Sequence, residues 1–411
     1  MEDIGQRQPS SLKNAWKFSL DLRLSKRKLD RVFQTLIVHF KDKRSFQLNK
    51  IYNVINCLIA NLLYAKEINS KGYLRYSRRH DEYKRTIYNK LSISSTYLKE
   101  VIDTLVKLNF LENVKGVNSI FLSRIRATNL LENIFIEENI LICDVYYDKE
   151  LLILKNKNKK KINYLDEEYT TQIKRNLINY NELLLNNKIT NHLVNKHQRL
   201  NKTYYRVFSN SSFKSHGRYY GHWIVDMNDT VRKETKMNGQ QVKIVDFEAS
   251  QTHMAYSLKG INYFDYTDIH PYNFLSENFY IPSGKRRDFI KKVTSLFLNC
   301  SKDKFKRALY FLNNTQFKIK NLNVSMLHNE FNEFHKPISE YFFKSLGNKL
   351  MFIESQIAER TIIEFCKLNI PILIIHDCFI VPEDRINLLK NSLKNSFNEC
   401  GFKSIPRLKV S

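Results

Sequence analysis

Cysteine pairing is absent from this chain. Its six cysteines (Cys57, Cys143, Cys300, Cys366, Cys378 and Cys400) form no Cys-x-x-Cys and no zinc-type spacing with histidine. That excludes a recognisable zinc module or disulfide framework and fits free thiols in a reducing compartment. Long apolar runs are missing too. No stretch reaches the roughly 18–20 uncharged apolar residues that span a bilayer, and Met1 to Lys17 lacks the apolar core of a signal peptide. The expectation is a soluble, cytoplasmic protein without a membrane partner. There is no P-loop, so no NTP-driven motor is implied, and there is no internal repeat or Gly/Ser linker. Acidic residues are scarce: 41 stand against 67 Lys+Arg, a formal net charge of +26. Such a surplus favours a polyanionic partner bound with strong salt dependence. An AT-rich genome would produce the same abundance of Lys, Asn and Ile, so charge alone leaves the matter open.

The 411 residues suffice for two or three domains with a real core. A helical patch lies around Leu29–Val38, and Leu48–Lys66 carries Ile51, Val54, Ile55, Leu58, Ile59, Leu62 and Leu63 at helical spacing. Ser94-Ser95-Thr96 opens a second helix, Ser94 or Ser95 serving as its N-cap, with Leu98, Ile102, Leu105 and Leu108 on one face. The helix ends at Asn109. Phe110–Val114 reads as a strand, Lys115-Gly116-Val117-Asn118 as a basic turn, and Ser119–Arg126 as the return strand. Helix, strand, basic turn and strand form the pattern of a winged helix-turn-helix over about 48–128, with Thr96, Tyr97 and Lys99 on the recognition helix. A unit that only packs against the rest of the chain or a partner protein gives the same pattern. Residues 140–165 read as a short sheet interrupted by the basic run Lys155–Lys161, either a solvated turn or a phosphate-tracking one. From Asp166 to Leu200 the pattern is helical.

The chemistry-bearing pattern lies in the C-terminal half. Val242-Lys243-Ile244-Val245-Asp246-Phe247 is a β-branched strand that delivers Asp246. Ile370 to Val381 reads as another such strand and delivers His376-Asp377. A carboxylate in a buried strand is costly unless a cation compensates it. Two such strands side by side would set Asp246 and Asp377 together, with a repulsion that a divalent cation relieves. Paired metals held by carboxylates are the usual device for in-line nucleotidyl transfer. Between them lie Asp268-Ile269-His270 and a helix with Arg287 and Lys291 four apart on one face, a pair suited to a triphosphate. Upstream stand His216-Gly217-Arg218-Tyr219-Tyr220-Gly221 and Val231-Arg232.

The order Gly-Arg, strand-Asp, Asp-Ile-His, Arg-x-x-x-Lys and strand-His-Asp resembles the polymerase module of family A DNA polymerases over about residues 210–385. Phage single-subunit RNA polymerases share several of these elements. Tyr180-Asn181-Glu182-Leu183 through Arg206-Val207-Phe208, with the Gly217–Gly221 run, also looks similar to small polymerase or primase-polymerase proteins of plasmids and other mobile elements. The resemblance implies an α+β fold. A helical N-terminal domain (1–140) and a thumb-like sheet and helical connector (141–209) would precede a palm (210–411), whose antiparallel sheet carries helical fingers at about 265–345. It implies Asp246 and Asp377 as ligands of two Mg²⁺ ions, with Mn²⁺ as a substitute and the Phe247 carbonyl as a further ligand. Arg287, Lys291 and His270 would contact the incoming nucleotide, and Arg218, His376 and Arg232 the primer and template.

The departures carry weight as well. Gln251 stands where family A usually has a ribose-excluding glutamate, which opens the site to NTPs as well as dNTPs. Cys378 replaces the carboxylate after His-Asp, Asn299-Cys300 replaces Tyr-Gly at the end of the fingers helix, and Ser295 replaces an aromatic residue. Glu248 reads as surface, and Glu354 and Gln356 either line the cleft or sit on a partly buried helix. The Asp-x-Glu at Asp148-Lys149-Glu150 reads as surface, and no proofreading nuclease is implied. The leading reading is template-directed polymerisation on a DNA primer-template or single-stranded template, with an accessory replication protein as a candidate partner. The alternatives are a non-catalytic DNA-binding initiator with a relic palm, or an RNA polymerase on the same palm.

Overall fold

The computed structural model describes residues 15–68, 71–117, 121–195, 197–282, 284–402 and 405–411. The fold is α+β and divides into two compact units, Met1–Glu150 with Val194–Lys202, and Leu151–Leu193 with Thr203–Ser411. Among the described residues no helix is long and apolar enough to cross a membrane. All six cysteines are unpaired.

The first unit contains β1 (Trp16–Lys17), β2 (Leu22–Leu24), α1 (Lys26–Ile37), α2 (Ser45–Ile68), β3 (Leu74–Tyr76), α3 (Ser95–Lys107), β4 (Leu111–Val114), β5 (Ser123–Ala127), α4 (Asn129–Glu137) and β6 (Val145–Tyr147). Its core is built on α2, whose Ile51, Ile55 and Leu58 are fully buried with Leu98, Ile102 and Leu105 of α3. Ser94 caps α3, its Oγ accepting from the Tyr97 N–H at 3.3 Å. Asn109 ends the helix region in a left-handed conformation, φ +61°. β3, β5 and β4 form an antiparallel sheet, with β1 parallel to β3. β5 spans Ser123–Ala127, and Asn118 of the expected turn with Ser119 and Ile120 of the expected return strand lie outside the described residues. On α3 Thr96 is exposed, while Tyr97 and Lys99 are half-buried.

The second unit runs through β7 (Leu152–Leu154), α5 (Glu168–Asn186), β8 (Ile189–Asn191), β9 (Tyr205–Ser209), β10 (Ser212–Tyr220), α6 (Asp229–Lys233), β11 (Thr235–Met237), β12 (Gln240–Phe247), α7 (Ser250–Ser257), α8 (Tyr263–Tyr266), α9 (Arg286–Asn299), α10 (Lys302–Leu312), α11 (Val324–Phe334), α12 (Gly347–Lys367), β13 (Leu373–Ile375), β14 (Cys378–Pro382), α13 (Ile386–Glu399) and β15 (Leu408–Val410). An antiparallel sheet of order β13-β14-β12-β11-β8, with β15 also on β12, carries the candidate site. The helices α7 to α12 fall between β12 and β13. β10, β9 and β7 form a separate sheet, with β7 parallel to β9.

Three sequence expectations change here. The helix expected to reach Leu200 stops at Asn186 and gives way to β8, because Ile189–Asn191 pairs with β11. The run Ile370–Val381 is a hairpin, β13-turn-β14, and not one strand. Residues 141–209 are not a domain of their own. β7 shares a sheet with β9, and Tyr180 of α5 donates to the Ile372 carbonyl at 2.9 Å, so most of this stretch shares the core of the second unit.

One buried cation ties that core together. The fully buried Arg206 of β9 donates from Nε to the Gly217 carbonyl (2.8 Å), from Nη1 to Glu359 of α12 (2.7 Å) and from Nη2 to Ser355 (3.0 Å). Its guanidinium also lies over the Tyr219 ring at 4.8 Å. Removing one partner of such a pair leaves the other charged and desolvated. Arg206→Ala should cost about 3–5 kcal/mol, read as a lower midpoint of urea unfolding. A loss below about 1 kcal/mol would show that Glu359 finds adequate compensation from Asn176 and Gln356 alone.

Candidate active site

Along β12, Val242, Ile244 and Asp246 share one face and Lys243, Val245 and Phe247 the other. Phe247 packs on Phe379 and Phe397, which fixes that end of the strand. Asp246 is exposed on the opposite face. Its register partner across the sheet is Cys378, the first residue of β14. Asp377 is therefore one position away, in the turn. Ile375 faces Cys378, so His376-Asp377 is a two-residue turn. The favoured turns of this length need positive φ at their first position, and His376 supplies it at +61°. Left-handed backbone is unfavourable for a residue with a side chain, and such strain gathers at functional sites.

The electrostatics bind the two aspartates into one unit. Although Asp246 is exposed, the surrounding protein removes part of its hydration. That loss and the neighbouring Asp377 charge push its carboxyl up to about 6, against the pull of Lys291 and Lys409. Lys409 is its register partner on β15. Burial also raises Asp377, opposed by Arg218 and Lys291. Glu354 of α12 forms a third carboxylate behind the pair. Burial raises it, Arg218 opposes the rise and the Asp377 charge adds to it.

A bulge aims Arg218. The pairing of β10 with β9 slips on both sides of His216, and His216 and Gly217 both have positive φ, +71° and +73°. A Cβ on Gly217 would come within 2.6 Å of Ser355 Oγ, so only glycine fits without displacement. Beyond the bulge, Arg218 donates from Nε to Glu354 Oε2 at 3.1 Å and also from Nη2. Ser250 donates to Glu354 Oε1 at 3.1 Å. The sequence left Glu354 either lining the cleft or on a partly buried helix, and the structure makes it the buried counter-ion of Arg218. Its oxygens are spent on these partners.

On α9, Arg287 and Lys291 are both exposed. Arg287 lies 3.4 Å from His270 Nε2 and 5.8 Å from the Tyr272 ring centroid. His270 Nδ1 accepts from the Tyr272 N–H at 3.0 Å, and burial, with Arg287 beside it, lowers its pKa. Burial pushes the Tyr272 hydroxyl up to about 12, and Asp377 adds to the rise. His376 falls to about 4 through burial and the nearby Arg218, and its Nδ1 is buried without a hydrogen-bond partner. Gln251 is half-buried at the start of α7. Arg232 donates to the Val225 carbonyl (3.1 Å) and to Asp229 (3.0 Å), which braces its own segment. Sequence reasoning missed Lys409, Ser250 and Tyr272. Only Tyr272, two residues after His270, carried any local signal.

Among the described residues no three His, Cys, Asp or Glu gather as a ready-made metal cage. A pair of repelling aspartates nonetheless suits Mg²⁺, which is usually held by one or two carboxylates, with water and substrate phosphates completing the shell. No family model and no curated protein matches this chain. Among solved structures, it is similar to the POL domain of Pol1 from M. smegmatis, in complex with DNA primer-template and dNTP. The TM-score is 0.38 and the identity 10%, over 75% of this chain and 59% of that one. A likeness this slight transfers no residue roles.

The Asp246 shift has a measurable sign. A carboxyl whose folded pKa is raised favours the fold below its ordinary value of 3.8, and that advantage is lost as pH rises through about 6. Asp246→Asn should therefore raise the thermal midpoint in metal-free buffer at pH 7.5 and leave it nearly unchanged at pH 4. Equal shifts at both pH values would contradict the coupling.

Proposed function

We propose that the second unit is a template-directed nucleotidyltransferase, a DNA polymerase or primase-polymerase of a plasmid, phage or other mobile element. The observation that carries this reading is the convergence of Asp246 and Asp377 at one end of an antiparallel sheet, within the field of Lys291. In these terms the sheet is the palm, α9 to α11 are the fingers and α5 stands in the thumb's place. Mg²⁺ held by Asp246, Asp377 and the Phe247 carbonyl would polarise the primer hydroxyl and neutralise charge on the phosphates.

The chain's own residues do the rest. Arg287 and Lys291 bind and orient the triphosphate, and His270 orients Arg287. Arg218, locked by Glu354, offers its remaining edge to the primer, and His376 lines the primer end. Arg232 acts behind them by holding its segment. The primer 3′-oxygen attacks the α-phosphorus, the bond to the bridging oxygen breaks, and pyrophosphate leaves. Positioning and charge neutralisation are sufficient for this chemistry. Gln251 in place of a carboxylate leaves room for NTPs beside dNTPs. Thr96, Tyr97 and Lys99 on α3 supply a separate DNA contact.

A non-catalytic initiator would place all function in the first unit, and it gives no reason for two repelling carboxylates to be set beside Lys291. The test is labelled dNTP and NTP incorporation, with and without primer and template, in Mg²⁺ or Mn²⁺. Asp246→Ala and Asp377→Ala should each reduce it by at least about 100-fold, and Lys291→Ala should raise the nucleotide KM. Undiminished incorporation in either aspartate variant would overturn the assignment.

A further inference from the structure

Away from the aspartates, a groove of about 500 Å³ is lined by Phe279, Tyr280, Lys318, Lys320, Asn321 and Met326 among others. That volume falls within the roughly 300–1,000 Å³ of small-ligand clefts. Its two sides are built rigidly. On one, Phe279 is 5% exposed and anchors the loop, while Tyr280 is 87% exposed. The Ile281 N–H donates to the Phe279 carbonyl at 2.7 Å, so Tyr280 is the apex of a tight three-residue turn that holds its ring outward. On the other side, α10 ends in a π-helical turn, Asn313–Phe317, a feature frequent at functional sites. Lys318 follows in left-handed backbone, φ +55°, and its N–H donates to the Asn313 carbonyl at 2.7 Å. The Asn313 side chain clamps Ile319 through two 2.9 Å hydrogen bonds. Ile319 is buried, and Lys318 and Lys320 stand exposed on either side of it. The carboxylates nearest in sequence to Tyr280 are paired elsewhere: Glu277 with Arg286 (3.6 Å), and Asp288 with Lys292 (2.7 Å).

We propose that this groove seats single-stranded nucleic acid, with a base stacked on Tyr280 and its phosphates on Lys318 and Lys320. An exposed aromatic ring is a stacking platform that tolerates any base, and lysines beside it track the backbone. The proposal rests on the nucleic-acid reading above and adds a binding site which that reading does not contain.

The test uses the full chain and a fluorescent oligothymidylate carrying one 5-iodouracil. Irradiation should attach it to the peptide bearing Tyr280. Tyr280→Ala should remove that adduct and weaken anisotropy-measured binding about tenfold, with Tyr280→Phe restoring it. Lys318→Ala with Lys320→Ala should flatten the salt dependence by about 0.7 for each phosphate that is no longer neutralised. Asp246→Ala should leave the adduct in place while abolishing incorporation, which separates a failure of this groove from a failure of the polymerase reading. Unchanged binding by Tyr280→Ala, or adducts only on other peptides, overturns the proposal. Competition by dTMP as effective as that by the oligonucleotide overturns it in favour of a free nucleotide.

Discussion

The register of β12 against β14 holds two carboxylates together against their own repulsion. Asp246 faces Cys378 across the ladder and Asp377 is the turn residue before it, so the ladder sets the two backbone positions side by side. Loss of hydration raises both pKa values, and the Asp377 charge adds to the rise at Asp246. Folding chemistry alone offers no return for that arrangement. The cations already in place, Lys291, Lys409 and Arg218, offset the rise only in part.

Around this centre the fold works as a set of braces. Tyr180 and Tyr204 donate to the Ile372 and Ile374 carbonyls, both at 2.9 Å, fixing β13 ahead of the strained His376 turn. Arg206 clamps the bulge at Gly217 to α12, and the bulge turns Arg218 onto Glu354. Arg206, Arg218, Glu354 and Glu359 are thus matched with partners, while His376 Nδ1 in the strained turn is buried without one.

Much of this was legible in the residues. The β-branched run before Asp246, the Ser94 cap of α3 and the α9 face shared by Arg287 and Lys291 follow from periodicity and local chemistry, while the helical insertion between the aspartates was implied by the family resemblance. The hairpin at His376-Asp377 did not, because no glycine or asparagine interrupts Ile370–Val381 and the turn relies on a histidine in left-handed backbone. Lys409 was invisible because β15 joins β12 only through tertiary pairing. The commitment of Arg218 to Glu354 depends on a bulge whose signal was a lone glycine. The end of α5 was overrun because the apolar residues after Asn186 keep a helical rhythm while Ile189–Asn191 pairs with β11.

The most direct measurement is anomalous diffraction from a crystal of the full chain soaked in Mn²⁺. A manganese peak within bonding reach of both Asp246 and Asp377 is the predicted result. A peak confined to other carboxylates, or none at these two in a crystal that binds Mn²⁺ elsewhere, would contradict the account.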